Sequence, residues 1–582
     1  MHDFTPEQMA FLKSSGNVVL HACPGSGKTT VVAQKLIDYL QHWNRPHQGV
    51  AVLSFTNVAS DEIQRQASEI LPKGFSIDTP HFVGTLDSFI DNFIFLRFGY
   101  LLLESPKRPI ITSTNMINSY KYWRQECYRT CLSKIGDFRW SPNGVLTKNG
   151  RDISCDGRGQ YGPPCVQFKK RLLKKGLFFQ DEIASLTCIL LEKYPEVAKC
   201  VASRFPVILL DEAQDTSQEQ MKIIDLLCTA GMESVFFIGD PDQSIYEWRN
   251  ANPESFLEKM RDSKWTQLSL SKNFRSSQLI CNAAYVFSNI YKDKGANEAT
   301  GSTAVYNKKP ILYIYELSTK ETSIIKKFKE ECIASNIYLS PDNVAIVKRE
   351  RINTDNCVAN LWKTTETELL ARASYEWLSG NRKKAYSFCE NALFNLTIKR
   401  SEDMDISIEH DICNIMPYKQ WKQFVVDTLV KLPSANEQCD QWVTSCRDVV
   451  SKSLAANNMK LINQDSITES IKIKARDAKN KDFKKQPIKN YFEVKSRNEY
   501  TYSSVHGVKG ETFDALLLLV TKTSGSTLTP TFLAKGDTDK ELMRIAYVAM
   551  TRPRKLLAVA MPKSKANLAT RFPKDVWDYI EI

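Results

Sequence analysis

The stretch "NVVLHACPGSGKTTVVAQKLIDYL", residues 17–40, constrains the fold of this chain more than any other. Val18–Leu20 is typical of a short buried strand, and Val31–Leu40 has the apolar spacing of a helix, so a glycine-rich turn lies between strand and helix. Gly25 and Gly27 let the backbone wrap around phosphates without a Cβ in the way, and a helix N-terminus favours an anion. The sequence therefore predicts a phosphate-binding loop in an α/β fold.

The residues of this turn have distinct predicted roles. Lys28 is placed to reach the β- and γ-phosphates of a nucleotide, and Thr29 offers its hydroxyl to Mg²⁺. The strict pattern for such loops begins with glycine, where this chain has Ala22. The predicted ligands are ATP and Mg²⁺, and the predicted nucleotide-binding residues of the loop are Ala22, Cys23, Pro24, Gly25, Ser26, Gly27, Lys28, Thr29 and Thr30.

The stretch "DEAQDTSQEQ" begins at Asp211, directly after an apolar run that is typical of a buried strand. Ligands of parallel sheets bind at the carboxyl ends of the strands. Asp211 is therefore predicted to hold Mg²⁺, and Glu212 to orient or deprotonate the attacking water. Gln214 is predicted to relay the presence of the γ-phosphate toward Gln243. Asp215 fits equally well as a helix cap, with the next helix continuing from Gln218 to Gln220.

Seven stretches, taken in order, resemble the motifs of superfamily 1 helicases of the UvrD/Rep/PcrA type. They are "FTPEQ" at 4–8, "AVLSFTNVASDEI" at 51–63, "GTLDSF" at 84–89, "FIGDPDQSIYEWRNA" at 237–251, "LSLSKNFRSS" at 268–277, "YSSVHGVKGETFDALLLLV" at 502–520 and "RIAYVAMTRPRKLLAVAM" at 544–561. Two positions depart from the family pattern. Asp87 stands where the family has histidine, and Gly510-Glu511-Thr512-Phe513 stands where it often has Gly-Leu-Glu-Phe.

The resemblance implies further roles at the nucleotide. Gln8 would contact the adenine, Phe274 would stack beside it in place of the more usual tyrosine, and Glu511 would lie at the ribose. Gln243 would couple the γ-phosphate to the bound strand, and two arginines from the lobe across the cleft would act as fingers that neutralise the charge of that phosphate. The resulting catalytic set is Lys28, Asp211, Glu212, Gln243, Arg275 and Arg552.

The resemblance also implies nucleic-acid contacts. Rings on which bases stack suit an enzyme that accepts any base sequence, because every base has a π-face. An Ile-Tyr-x-Trp stretch taken alone is more often core packing, and only its place in the ordered motifs favours stacking. The predicted nucleic-acid contacts are Thr56, Asn57, Tyr246, Trp248 and His506.

The charge of the chain is concentrated in two segments. The net charge is +12, and residues 101–180 carry 15 Lys/Arg against 5 Asp/Glu. Residues 471–500 carry 10 against 4. Such segments are often solvated faces, yet here they are interleaved with aromatic residues, which favours a polyanionic partner. The resemblance then implies single-stranded DNA and DNA junctions as the partners.

The motif order implies two RecA-like P-loop NTPase lobes, each interrupted by an insertion. The basic insertion occupies the place of the family's 1B domain, and a mainly helical one occupies the place of its 2B domain, followed by a basic linker. The predicted boundaries are 1–95 and 181–280 for lobe 1A, 96–180 for the basic insertion, 281–354 and 496–582 for lobe 2A, and 355–495 for the helical insertion.

Several other classes of protein are disfavoured. No apolar run approaches the roughly 20 residues of a membrane span, and no secretory signal is visible, so we expect a cytoplasmic protein without membrane contact. The 15 cysteines form no Cys-x-x-Cys pair, which favours reduced thiols over a zinc site. The sequence after the last motif is too short for an added nuclease domain, so any cutting of DNA is expected from a partner nuclease.

Three functions fit these features. The first is an ATP-dependent translocase or helicase on single-stranded DNA, moving 3′ to 5′ as the resemblance implies, in repair or anti-phage defence. The compact members of this class include the helicase component of Gabija anti-phage systems, which acts with a nuclease. The second is a nucleic-acid-sensing ATPase subunit that regulates a partner nuclease or effector. The third is an RNA translocase, since stacking and phosphate contacts distinguish RNA poorly from DNA.

Overall fold

A computed structural model gives the structure of the chain, and it divides into two compact units. One unit is formed by Met1–Arg351 and Tyr500–Ile582, and the other by Ile352–Glu499. The structure describes residues 4–71, 77, 79–103, 108–112, 138–141, 145–148, 151–152, 164–247, 251–349, 361–398, 412–413, 415–462, 466–474, 484–492, 499–525 and 527–582.

The first unit contains two six-stranded sheets in which every paired strand is parallel. The strands of the first sheet are β1 (Asn17–Ala22), β2 (Val50–Ser54), β3 (Phe82–Thr85), β9 (Val207–Leu210), β10 (Ser234–Gly239) and β11 (Thr266–Leu270), in the spatial order β11-β1-β10-β9-β2-β3. The strands of the second sheet are β12 (Ile311–Tyr315), β13 (Val344–Lys348), β14 (Thr501–Ser504), β15 (Phe513–Leu519), β16 (Pro553–Pro562) and β17 (Asp578–Glu581), in the order β14-β13-β15-β16-β12-β17.

Both faces of the first sheet are buried, because side chains of a strand alternate between the two faces and both faces are covered here. Along β1, Val18 and Leu20 join one core with residues of the helix that follows the glycine-rich loop. Val19 joins the opposite core, which the helix Ile183–Lys193 covers. The predicted α/β fold with parallel sheets is confirmed, and it fits a RecA-like helicase fold.

The second sheet is covered in the same way. Leu516 and Leu518 of β15 face one core, while Ala515, Leu517 and Leu519 face the other. The α-helices of this unit are Pro6–Lys13, Lys28–His42, Asn57–Ile70, Leu86–Phe89, Leu96–Phe98, Pro164–Lys174, Ile183–Lys193, Pro195–Arg204, Gln218–Thr229, Pro253–Arg261, Gln278–Ala284, Glu321–Ala334, Pro530–Lys535 and Glu541–Met550, with a π-helix at Ile90–Phe95.

The predicted basic insertion, 96–180, is described only in part. Its described strands are β4 (Ile110–Thr112), β5 (Phe138–Trp140), β6 (Leu146–Lys148), β7 (Arg151–Asp152) and β8 (Leu177–Phe179). Strands β4 and β8 pair in parallel, and β5, β6 and β7 form a small antiparallel sheet. Residues 113–137 and 153–163 of this insertion, which include Tyr120, Tyr122, Trp123 and Tyr161, lie outside the described residues, as does much of the predicted basic linker before residue 496.

The second unit is helical throughout its described part. It occupies nearly the range predicted for the helical insertion, and its helices are Thr365–Leu378, Arg382–Thr397, Tyr418–Lys431, Cys439–Ala456, Ile467–Ser470 and Ile488–Phe492. Two tryptophans are fully buried in its core. Trp421 donates to Glu390 Oε1 at 3.1 Å and Trp442 to the carbonyl of Pro433 at 3.0 Å, so both indole N–H groups are satisfied.

Two observations on the described part of the chain concern a membrane span and a metal site. None of the helices described is both long and apolar enough to cross a membrane. In the same residues, no group of three or more His, Cys, Asp or Glu side chains could hold a metal ion by itself, and the described cysteines are free thiols.

Candidate nucleotide-binding and catalytic site

The glycine-rich loop leaves the carboxyl end of β1 and enters the helix that begins at Lys28. Gly25 and Gly27 have φ angles of 72° and 81°, the left-handed region that favours glycine. A Cβ on Gly25 would lie 2.7 Å from Arg275 Cβ and from Asn273 Oδ1. The loop is therefore packed against the segment that follows β11, and only glycine fits at this position.

Two polar atoms of the loop are buried and have no hydrogen-bond partner within the described residues. They are Ser26 Oγ and Lys28 Nζ. The closest carboxylate oxygen to the ammonium is Glu212 Oε1, at 3.5 Å. Burial lowers the pKa of Lys28, but Glu212, Asp240 and Asp211 together raise it, so the group is a cation. A buried cation and a buried hydroxyl that lack partners fit the phosphate oxygens of a nucleotide.

The two predicted acids follow β9 directly. Asp211 is buried and accepts a hydrogen bond from the backbone N–H of Glu212 at 2.9 Å. Burial and the charge of Glu212 raise the pKa of Asp211. Burial acts to raise the pKa of Glu212, but the charges of Lys28 and Lys509 outweigh it and hold the pKa below its usual value. Glu212 is therefore the ionised member of the pair. Glu212 has a φ of 54°, a left-handed conformation rare for residues with a Cβ.

A chain of hydrogen bonds joins Glu212 to the next strand. Gln214 Nε2 donates to Glu212 Oε2 at 2.5 Å, and Gln214 Oε1 accepts from the backbone N–H of Asp240 at 3.0 Å. Gln243 Nε2 then donates to Asp240 Oδ2 at 2.7 Å. The structure thus brings together Gln214 and Gln243, the two residues predicted to communicate, and shows that Asp240 is the link between them.

The same chain continues to the second sheet. Arg552 lies directly before β16, and its NH2 group donates to Gln243 Oε1 at 2.6 Å. Burial lowers the pKa of Arg552, whereas Glu212 and Asp240 raise it. Arg552 is buried and takes part in none of the ion pairs of the described residues. Its guanidinium is therefore held in place by neutral acceptors, the Gln243 amide and, at 3.1 Å, the carbonyl of Val548.

Arg275 lies on the segment that leaves the first sheet after β11, and not on the second sheet. The segment bridges the two sheets, because Arg275 NH1 donates to the carbonyl of Thr551 at 3.1 Å and Ser276 Oγ to that of Pro553 at 2.8 Å. Asn273 Oδ1 holds the turn by accepting from two backbone N–H groups. Burial and the charge of Arg552 lower the pKa of Arg275 to about 9.

One cavity of about 940 Å³ brings most of these residues together. The predicted site residues that line it are Gly25, Ser26, Gly27, Lys28, Thr29, Thr30, Thr56, Asp211, Glu212, Gln243, Phe274, Arg275, Glu511 and Arg552. Thr29 and Asp211, the predicted Mg²⁺ ligands, are among them. The hydroxyl and the carboxylate are hard oxygen donors of the kind that Mg²⁺ prefers, so these two residues fit the metal.

The remaining nucleotide residues lie around the loop. Gln8 Nε2 donates to the carbonyl of Ser26 at 3.1 Å, so this side chain supports the loop from behind. Cys23 donates its backbone N–H to the carbonyl of Leu270 at 3.0 Å, and burial raises the pKa of its thiol. Ala22 is the last residue of β1, and Pro24 follows within the turn. Phe274 is 39% exposed, which leaves its ring open to the cavity.

The predicted nucleic-acid residues that the structure describes differ in their exposure. Tyr246 is only 8% exposed and packs in the core of the second sheet, with its ring centroid 4.8 Å from that of Phe55. This placement matches core packing, the alternative that the motif order disfavoured. His506 Nε2 lies 2.9 Å from the carbonyl of Ile245, and burial lowers the pKa of this histidine. Trp248 lies outside the described residues.

Thr56 and Asn57 begin the helix that follows β2. Thr56 is the N-cap and accepts from the backbone N–H of Ala59, which places it at the rim of the nucleotide cavity. Asn57 is exposed. Asp87, at the position where the family has histidine, accepts a hydrogen bond from Gln220 Nε2 at 2.7 Å.

Sequence reasoning misassigned Asp215 and missed Lys509. Ser217, and not Asp215, caps the helix Gln218–Thr229. Asp215 is instead buried beneath Lys509, whose ammonium contacts its carboxylate. Lys509 also lines the nucleotide cavity. The only sequence signal for it was a lysine beside a glycine within the stretch that resembles the fifth helicase motif.

A parallel sheet whose carboxyl edge carries a phosphate-binding loop, a pair of acids and a neighbouring arginine defines the class of P-loop nucleotide-binding proteins. The comparisons with known proteins narrow this class. Residues 4–264 match the UvrD/REP helicase N-terminal domain. The resemblance to superfamily 1 helicases of the UvrD/Rep/PcrA type is confirmed.

Individual relatives agree with this family match. The chain is 24% identical over 404 residues to Gabija protein GajB of Bacillus cereus. This match covers 68% of the present chain and 72% of GajB. It is 26% identical over 292 residues to ATP-dependent DNA helicase Rep of Escherichia coli, covering 48% of this chain and 42% of Rep. It is also 26% identical over 288 residues to ATP-dependent DNA helicase PcrA of Bacillus subtilis, covering 48% and 38%. The chain thus spans less than half the length of Rep and PcrA.

Proposed function

We propose that this protein is an ATP-dependent translocase or helicase that moves 3′ to 5′ along single-stranded DNA. The observation that carries this proposal is the cavity in which the loop, the acid pair and Arg552 meet. The helicases Rep and PcrA, to which the chain is similar, support ATP as the nucleotide and DNA as the polymer.

Bound ATP and Mg²⁺ would supply the phosphoryl group that passes to water and the charge that stabilises its transfer. Lys28 binds the phosphates. Its buried ammonium has no hydrogen-bond partner within the described residues, so it can donate to phosphate oxygens. Thr29 and Asp211 would hold the metal. Glu212 is ionised and lies beside Lys28, so it can orient the attacking water and accept its proton.

The two arginines complete the site from its other walls. Arg552 and Arg275 bring positive charge to the cavity, where it can neutralise charge that develops during phosphoryl transfer. Because Arg552 also holds Gln243, a change at the phosphates alters the hydrogen-bond chain through Asp240 and Gln214. This chain is the proposed path from hydrolysis to movement.

The two parallel sheets are proposed to be the two RecA-like lobes, 1A with residues 1–95 and 181–280 and 2A with 281–354 and 496–582. The basic segment 96–180 is then the 1B-like insertion, and the helical segment 355–495 takes the 2B position. Opening and closing of the cavity between the sheets would drive translocation, because Arg275 and Arg552 contact both sides of it.

The strand of DNA is proposed to contact Thr56, Asn57, Trp248 and His506, with Tyr246 supporting this face from within. The basic insertion would add contacts to the phosphate backbone, which neutralise charge without reading sequence. The similarity to Gabija protein GajB supports a role in anti-phage defence beside repair, with a partner nuclease.

An ATPase and strand-displacement assay with 3′-tailed, 5′-tailed and blunt duplexes tests the proposal. We expect ATP turnover to rise with single-stranded DNA and displacement to require a 3′ tail. Lys28→Ala provides the control, since it removes the phosphate-binding ammonium and should abolish both signals. Turnover that depends on DNA without displacement of any duplex would instead support a nucleic-acid-sensing ATPase, and a preference for RNA would support an RNA translocase.

A further inference from the structure

Lys509 lies between β14 and β15, in the second sheet, yet its charged end contacts the first sheet. Its side chain is 7% exposed, and its ammonium contacts the carboxylate of Asp215. The ammonium also donates to the carbonyl of Gln243 at 2.7 Å. Both partners belong to segments that follow strands of the first sheet, so Lys509 bridges the two sheets beside the nucleotide cavity.

The same ammonium lies between two functional regions. On one side it is 4.0 Å from Glu212 Oε2, the acid proposed to activate water. On the other side it lies 4.9 Å from the centroid of the Tyr246 ring, which packs against Phe55. A single cation therefore lies beside both the proposed catalytic acid and Tyr246, the ring that packs against Phe55.

Asp215 depends on this lysine. The aspartate is buried, and its Oδ1 atom has no hydrogen-bond partner within the described residues. Burial raises the pKa of Asp215 to about 6, and Lys509 opposes that rise. Removing one partner of a buried ion pair leaves the other charge uncompensated, which is strongly unfavourable. If the ammonium of Lys509 shifts toward Glu212, the ionised carboxylate of Asp215 is therefore less well compensated. The same shift moves the cation relative to the Tyr246 ring.

We propose that Lys509 is a positioning residue that couples the occupancy of the nucleotide cavity to the aromatic pair of Tyr246 and Phe55. The inference rests on the proposed function, because it requires that the protein bind both ATP and single-stranded DNA. Phosphate oxygens entering near Glu212 compete with Asp215 for the ammonium. Any such coupling is reciprocal, so nucleotide changes the affinity for DNA by the same factor as DNA changes the affinity for nucleotide.

The test measures the dissociation constant of a fluorescent oligo(dT) with and without a non-hydrolysable ATP analogue and Mg²⁺. The ratio of the two constants reports coupling and needs no turnover. For the wild type we expect a ratio of about 5 to 150, in either direction, as is typical of coupled sites. Lys509→Met should bring it to within about twofold of one, while Lys509→Arg should keep most of it because the cation is retained.

Two further variants make the test specific. Lys308→Met removes a partly buried lysine that pairs with Glu331 at 3.0 Å, and it should keep the wild-type ratio. Asp215→Asn removes the partner of Lys509 and should lower the ratio as Lys509→Met does. If Lys509→Met does not fold, as judged by circular dichroism, Asp215→Asn decides the question. A wild-type ratio in either Lys509→Met or Asp215→Asn would overturn the proposal.

The wild type separates this inference from the proposed function. A wild type that binds both ligands with a ratio of one refutes the coupling and leaves the proposed function standing. A wild type that binds neither ligand refutes the proposed function and the coupling with it.

Discussion

The two parallel sheets resemble each other in strand number and in burial of both faces, but they face the nucleotide cavity with opposite edges. The first sheet contributes residues that follow the carboxyl ends of its strands, such as Lys28 after β1 and Asp211 after β9. The second sheet contributes residues near the amino ends, such as Lys509 before β15 and Arg552 before β16.

The difference explains the division of chemistry between the sheets. Lys28 and the two acids, Asp211 and Glu212, come from the first sheet, whereas the two cations that donate to Gln243, Lys509 and Arg552, come from the second. Neither sheet contains a complete site. Hydrolysis is therefore expected to require both edges, and variants on each edge should fail in different ways.

The largest effect is expected from the second-sheet edge. Arg552→Ala should lower DNA-stimulated ATP turnover by about 10³-fold, because the charge that neutralises the γ-phosphoryl is lost. Nucleotide binding should be largely retained, since the loop is intact, and a fluorescent ATP analogue measures it. Arg261→Ala, which removes an exposed arginine paired with Glu254, is the matched control. A parallel loss of turnover and of binding would assign Arg552 a structural role instead.

On the first-sheet edge, Glu212→Gln should lower turnover by about 10² to 10³-fold, because the amide cannot accept a proton from water. The same variant removes the carboxylate nearest Lys28, so we expect nucleotide affinity to stay the same or rise. Single-turnover hydrolysis and equilibrium binding measure the two effects. Glu233→Gln, at an exposed pair with Arg45, is the control, and a loss of affinity in Glu212→Gln would contradict the prediction.

The contact between the loop and the segment after β11 can be tested through stability. Gly25 and Gly16 have φ angles of 72° and 76°, but a Cβ would meet atoms of other residues within 4 Å at Gly25 and none at Gly16. Gly25→Ala should therefore cost about 1–3 kcal/mol more in free energy of unfolding than Gly16→Ala, since overpacking adds to the backbone strain. Urea unfolding of the two variants gives the difference. Equal destabilisation would show that the segment is not packed against the loop.

Asp91, a half-buried acid away from the cavity, gives the smallest effect. Burial raises the pKa of Asp91 to about 6, with Gln180 lowering it and Asp87 raising it. The native state then holds a proton that the unfolded chain has lost, so wild-type stability falls as pH rises from about 4 to 6. Asp91→Asn should melt about 2 °C above the wild type at pH 8, and the difference should vanish near pH 4. A difference that does not depend on pH would contradict this assignment.

Local sequence predicted the first-sheet edge well. The loop and the acids after β9 lie within short stretches whose spacing reports their geometry, so Lys28 and Asp211 fall in the cavity as expected. Residues that meet across the fold were harder to predict. Lys509 and Asp215 are 294 positions apart in sequence, and no local pattern reveals that they touch.

Burial of individual rings was equally hidden from the sequence. The stretch around Tyr246 is compatible with an exposed stacking ring and with a core residue, and the choice depends on Phe55 and His506, which come from distant segments. Arg275 is a further example. Its motif indicates an arginine near the γ-phosphate, but only the structure shows that its segment connects the two sheets through contacts with Thr551 and Pro553.

The helical unit is inserted in the chain between β13 and β14, two strands that are hydrogen-bonded neighbours. A crossover between adjacent parallel strands needs only about a dozen residues, and this connection uses Ile352–Glu499. The sheet therefore does not depend on the identity of what fills that connection. A connection of different length or sequence at this position would leave the residues of both edges in register.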